Sequence, residues 1–565
     1  MSIQLVLSHY LAGLRERDEL DALLPELLKA MGHSVLSRPQ IGVAQAGVDV
    51  VSTKPDETGT NEVYIFVIKF GNVGRGDFYG GKQAIDPSIR EACNDFIRNR
   101  LPEHLKPLHK KIVLVSNGVL LQEAQAGFSA LSHDVAERPL CKLDFWGSDQ
   151  LTPLIEQHLF DENLLLAKGK SDLRAALAGL EESGSAIGRF IRFVESCFAT
   201  PEEDSEQSDA TRKKKFLRRC AAASMGWGVL LVWGQSEGNL KPGVVAGEYL
   251  ILRMWAEAVK AGLTANNDFT DRLRTMVALQ VKSLIEYFEK VMPTLESAQA
   301  VLSYRPERVL YVELIFEELG RLATLLLLLQ QTPGQEERRA QIRNLIVHLI
   351  NQHPGCRLPT YDGQTIDMTL MFAALMGESA WDEVQALARE AIIRLQYALK
   401  HDRYLPVDTD YLEDAVALNV TQEAGGRDFF ETSTLVPALA TIAALLNDEG
   451  ALHQLRDEIV PLMKNVTLER WFPEASLETL TGSTQDIQNV GVSKALVGFR
   501  ASAQEEADVS LKPFPGAAAA SDFKWHETQW QVLVALSARI HRHPLPTWFF
   551  AEYRRPQHPA THSES

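Results

Sequence analysis

An aspartate and a lysine interrupt two short apolar runs near the start of this chain. The first run reads Gly47-Val-Asp49-Val-Val51. The second reads Val63-Tyr-Ile-Phe-Val67-Ile68-Lys69-Phe-Gly71. A charge inside an apolar strand is costly to bury unless something pairs with it. On two paired strands, one acid and one base could meet at a metal–phosphate site. The plain alternative is an ion pair that stabilises a hairpin.

The elements that must position them follow from composition and spacing. Both runs are β-branched and aromatic, and Lys54-Pro-Asp-Glu-Thr-Gly59 between them is turn chemistry, so the pair reads as a β-hairpin with a longer loop. Upstream, Leu20, Leu23, Leu24, Leu27, Leu28 and Met31 give the stripe of a buried helix. Gly32 is its stop, and Pro25 is tolerable only near its first turn. His33–Leu36 leads into the hairpin. After it comes the turn Gly71-Asn-Val-Gly-Arg75-Gly-Asp77, then a polar helix over Ile89–Arg100. Such a turn with Arg75 could cradle a phosphate, although glycine-rich turns are usually only turns. Lys111–Ser116 is a buried strand, Asn117-Gly118 a turn, Leu121–Leu131 a helix and Leu143–Trp146 a last strand. A further helix follows, capped by Ser148 or Asp149. This order gives an α/β domain with a mixed sheet over residues 1–165.

The helix ending at Met31-Gly32, the Asp49 strand, the strand ending in Lys69, and the later Ile112–Val115 and Phe145-Trp146 segments together resemble the restriction-endonuclease-like, PD-(D/E)xK, nuclease superfamily. The resemblance covers roughly residues 15–165. It implies a phosphodiesterase dependent on Mg²⁺ or Mn²⁺, and DNA as the partner. Asp49 would be the strand acid that binds the metal, joined by the backbone carbonyl of Ile68. Lys69 would orient the attacking water or offset charge at the phosphate. Asp21, or else Glu26, would be the helix acid, and Gln83 would line the pocket. Magnesium takes hard oxygen ligands and keeps several waters, which suits such a set. The chain departs from the pattern at Val67, where the family carries an acid or glutamine. Glu62 lies at odd spacing and should face away from Lys69, while Asp77 and Glu91 lie downstream as other carboxylates. The resemblance also implies a bacterial defence effector with a helical sensor or assembly region, activated by a protein partner or phage-derived trigger. A lapsed nuclease that only binds nucleic acid or a partner is the second expectation.

Beyond this domain, residues 166–210 read as a bridging helix (Glu181–Cys197) and an acidic linker, Thr200–Asp209. The basic run Arg212-Lys213-Lys214-Lys215-Phe-Leu-Arg-Arg219 follows. It is either a solvated helix face or a phosphate-contacting patch. Residues 211–565 read as an all-α region, expected to oligomerise, with Thr332-Pro333-Gly-Gln335 and Ser379 as helix caps and no fixed repeat. Asp408-Thr-Asp410 reads as a cap rather than a metal pair. His541-Arg-His543 reads as a basic surface turn, and Trp525, Trp530 and Leu533 as core.

With 565 residues and a formal net charge of −17, the chain holds several domains' worth of material and is no general nucleic-acid sponge. Any nucleic acid must find a local basic surface. The five scattered cysteines, without Cys-x-x-Cys, exclude a zinc ribbon and a disulfide scaffold. No Walker lysine motif, Gly-x-Ser-x-Gly or His-Glu-x-x-His occurs. The polar start and short apolar runs point to a cytoplasmic protein with no membrane span.

Overall fold

A computed structural model describes residues 3–14, 19–37, 47–56, 59–80, 84–159, 170–199, 208–305, 307–401, 412, 415–416, 432–463, 466–484, 487 and 490–555. Gln83, Asp408, Asp410 and most of the acidic linker lie outside these residues. The chain divides into two compact units: Met1–Ala246 with Arg274–Leu279, and Gly247–Leu273 with Gln280–Ser565.

The first unit is built on a mixed five-stranded sheet in the order β1-β2-β3-β4-β5. These are β1 (Ser34–Ser37), β2 (Val50–Pro55), β3 (Asn61–Lys69), β4 (Lys110–Ser116) and β5 (Cys141–Trp146). β2 runs antiparallel to both β1 and β3, whereas β3, β4 and β5 run parallel. The expected hairpin is present, with Val50 opposite Phe66 and Pro55 opposite Asn61. The parallel step needs crossovers, supplied by α3 (Arg75–Tyr79), α4 (Ile85–Glu91, continued in a wider winding to Arg100) and α5 (Gln122–Ala136). Their Phe78, Ile85, Ile89, Ala124, Leu131 and Val135 close one core with Val63, Ile65, Val67, Ile112, Leu114 and Leu143 of the sheet. α1 (Ile3–Gly13) was not foreseen from the sequence. It packs on α6 (Ser148–His158), which in turn meets α2 (Asp21–Ala30). Helix α6 is capped at Gly147, whose N–H donates to Gln150 Oε1 at 3.1 Å, and not by Ser148 or Asp149.

α7 (Lys170–Ala178), α8 (Ser183–Phe198) and α9 (Asp209–Glu237) belong to this unit as well. Ala186, Phe190, Phe193, Val194 and Cys197 form the buried stripe of α8. Phe193 lies against Gly226 of α9, where a Cβ would come within 2.2 Å of the ring. The glycine permits that contact.

The second unit is not all helical. Beside its long helices it holds a three-stranded sheet of β6 (Thr432–Ser433), β7 (Thr467–Pro473) and β8 (Gly491–Ala495). Residues Thr365–Met376 of the helix Thr365–Gly377 are buried on every face, which makes it the central helix. It packs along the helix Arg308–Gln330. Two expected caps are replaced. The helix after Pro333 starts at Glu336 behind Gln335, and Ser379 takes a left-handed turn (φ 59°) before a helix that starts at Trp381. Turn 541–543 is not a surface feature: His543 is fully buried, stacked on Trp471, and Arg542 Nη2 pairs with buried Asp367 at 2.9 Å. Trp525 and Leu533 are core, while Trp530 is half-buried. Among the described residues no helix is long and apolar enough to cross a membrane.

Candidate functional site

β3 is the strand at which pairing changes from antiparallel to parallel, and its carboxyl end gathers the candidate groups. Open sheets bind ligands at such ends. Asp49 lies just ahead of β2, and its N–H donates to Phe66 O at 2.9 Å. Phe66 is also the register partner of Val50, so the chain takes up an extra residue at the strand entry. That slip puts both Val48 and Val51 into the core with Val67. The Asp49 side chain instead continues the ladder: Ile68 N–H donates to Asp49 Oδ2 at 2.7 Å. An ionised acceptor makes this a strong hydrogen bond that fixes the carboxylate. Alternate residues of a strand aim their backbone groups at the same neighbour, so the Ile68 carbonyl shares the edge that Asp49 occupies.

Lys69 is the last residue of β3, opposite Ser116 and half-buried. Asp49 and Lys69 therefore reach the same end of one strand pair, with Ile68 between them. Val67 is 1% exposed and faces the core, so its position offers neither a ligand nor room for one. Glu62 lies on the other face, as its spacing required. It accepts from Lys111 Nζ at 2.7 Å and from Tyr64 OH at 3.1 Å. Asp77 caps α3 by accepting from Gly74 N–H at 2.8 Å, and Glu91 is exposed on α4. Asp21 opens α2, half-buried, on a helix that packs against β1 and α6.

The glycine turn is a stitch rather than an open cradle. Gly71 N–H donates to Asn117 Oδ1 (2.8 Å), Val73 N–H to Val119 O (2.9 Å) and Arg75 N–H to Glu123 Oε1 (3.3 Å). The Arg75 side chain points into an exposed region. Asn117 is the residue that sequence reading missed. It is buried, and its Nδ2 also donates to Leu11 O and Leu14 O at 2.8 and 2.9 Å, tying the end of α1 to the end of β3. A Cβ at Gly118 would sit 2.4 Å from the Gly71 carbonyl, so Asn-Gly here reflects close backbone approach as well as a turn.

The basic run opens α9 and returns to this same place. Lys214 Nζ stands 5.1 Å from the centroid of the Phe70 ring, and Phe70 directly follows Lys69. Arg212 pairs with Asp209, and Arg218 with Glu19 just ahead of α2. Lys213 and Lys215 flank Lys214 on the same helix and are half-buried. Buried His33 shares a hydrogen bond with Ser52 (2.9 Å) and lies edge-on to Tyr64. Burial, then the charges of Lys54 and Lys111, lower its pKa to about 4, so it is neutral at pH 7.

The chain matches no family model, no curated protein and no solved structure. Among the described residues no three His, Cys, Asp or Glu side chains cluster to hold a metal. A magnesium ion needs only one or two carboxylates beside substrate oxygens and water. The Asp49 carboxylate and the Ile68 carbonyl, on one edge and next to Lys69, fit that smaller requirement. The second unit also holds a cavity of about 140 Å³, lined by Trp548, Phe549, Tyr553, His526, Gln531 and Glu552 among others.

Proposed function

We propose that the first unit is a metal-dependent DNA endonuclease of the restriction-endonuclease-like kind. The observation that carries this reading is the Asp49 carboxylate held by Ile68 N–H at the end of β3, one residue from Lys69. Asp49 and the Ile68 carbonyl would hold a Mg²⁺ or Mn²⁺ ion, with Asp21 as the helix acid. When bound, the ion supplies a Lewis acid for the phosphoryl oxygen and a more acidic water. Lys69, at the strand's end, offsets charge on the phosphate and orients the water. Lys213, Lys214 and Lys215, with Arg212 at the start of the helix and Arg75 on the exposed turn, offer the local basic surface that an acidic chain needs for a polyanion. In this reading the second unit senses a trigger, such as a phage component or a partner protein, or assembles copies of the chain.

A second reading, a lapsed nuclease that only binds, is favoured by one observation. Val67 is wholly buried where the superfamily has its second acid. Plasmid DNA incubated with Mg²⁺ or Mn²⁺ beside Asp49→Ala and Lys69→Ala separates the two. Cleavage lost in both variants supports the enzyme. Uncut plasmid with gel-shift binding intact supports the lapsed form.

A further inference from the structure

Phe70 directly follows Lys69 and is 41% exposed. An exposed lysine, Lys214, stands with its Nζ 5.1 Å from the centroid of the ring. We infer that Phe70 and Lys214 form a step for an unpaired stretch of DNA, with a base stacked on the ring and a neighbouring phosphate on the lysine. The inference rests on the phosphodiesterase reading only in placing the scissile phosphate one residue away, at Lys69.

A lysine over an exposed ring strengthens an equilibrium by about two- to fivefold. A base stacked on such a ring contributes about fivefold to a hundredfold. A base can therefore displace the ammonium from the ring. The lysine keeps its reach to the adjacent phosphate, where it releases counterions. In duplex DNA the base faces are already stacked on each other, so the ring gains a stacking partner there only by prising a step open, at a cost of a few kcal/mol. The geometry thus selects an unpaired strand, at an end, a flap or a melted segment.

The test uses the full chain in EDTA, so that binding is read without cleavage. Fluorescence anisotropy compares labelled oligothymidylate with a hairpin duplex, for wild type, Phe70→Ala, Phe70→Leu, Phe70→Trp and Lys214→Ala. The expected result is tighter binding of the single strand by wild type. Phe70→Ala and Phe70→Leu should each lose about tenfold on the single strand and stay within about twofold on the duplex. Phe70→Trp should keep single-strand affinity. Lys214→Ala should shallow the salt dependence on the single strand by about 0.7 in log–log slope. Phe70→Leu keeps the apolar bulk, and an unchanged melting temperature shows that it folds. The inference is overturned if wild type prefers the duplex, if it binds neither, or if both Phe70 truncations bind the single strand like wild type. A parallel cleavage assay keeps the two readings apart. Phe70-dependent binding with no Asp49-dependent cutting sinks the nuclease reading alone. Asp49-dependent cutting with binding indifferent to Phe70 sinks this inference alone.

Discussion

Charges are used in opposite ways in the two units. At the carboxyl end of β3, Asp49 and Lys69 are half-buried, and exposed Lys214 stands over the neighbouring Phe70. In the second unit, Arg321 and Glu318 are each 1% exposed. Arg321 Nη1 meets Glu318 Oε1 at 2.6 Å, Arg321 Nη2 meets Glu317 Oε1 at 2.8 Å, and Tyr287 OH donates to Glu318 at 2.8 Å. Arg470–Glu506, at 2.8 Å, is just as enclosed. A buried pair is nearly break-even when complete and expensive when halved. The lesson is that the internal charges are architecture, whereas the charges at the end of β3 are less deeply buried and can be changed at smaller structural cost.

The sharpest way to break this contrast is Arg321→Met. It leaves Glu318 buried without its cation, and should destabilise the second unit by about 3–5 kcal/mol in urea unfolding. A loss under about 1 kcal/mol would mean that the pair is not architectural. Asp49→Asn comes next. Removing the charge from one partly exposed hydrogen bond should cost no more than about 1–2 kcal/mol of stability, although cleavage should vanish. A collapse of the fold would return Asp49 to the role of a structural ion.

Acid sharpens the comparison further. His33 in the first unit has its pKa lowered from 6.5 to about 4, and His543 in the second to about 3, both chiefly by burial. The unfolded chain binds protons at these sites below about pH 6.5 and the native chain does not. Their contribution to stability is therefore full above pH 6.5 and shrinks as the pH falls toward 4. Thermal melts from pH 7 to 5 should show both units weakening, and His33→Gln should flatten the fall in the first. The smallest effect is expected from Lys214→Ala, which should leave the melting temperature within error because the contact is exposed.

How far this was legible in the sequence depends on the range of the interactions. The hairpin, the parallel strands and most helices of the first unit follow from local periodicity, and the mixed sheet is as expected. Helix α1 was missed although Val6, Leu7, Tyr10, Leu11 and Leu14 form a buried stripe at helical spacing; only its tie through Asn117 to the carbonyls of Leu11 and Leu14 had no local signal. The basic run was readable as charge, but its return to Phe70 was not, because no local pattern encodes contact across so many residues. β6, β7 and β8 were lost in a region where short strands lie among long helices. The caps at Thr332 and Ser379 failed because backbone geometry there, a turn and a left-handed residue, overrode favourable side-chain types. Asp49 was placed inside the first strand because β-branched residues flank it on both sides. The extra residue at the strand entry leaves Asp49 just ahead of β2, where its carboxylate accepts from Ile68 N–H.

The most direct trial of the account is plasmid cleavage by the full chain with Mn²⁺ or Mg²⁺, measured for wild type, Asp49→Asn and Lys69→Ala at matched folded concentration. The account expects nicked and linear products from wild type, with each variant slower by at least about a hundredfold. Equal cutting by wild type and both variants would contradict it, because the phosphodiester would then be broken somewhere other than the end of β3.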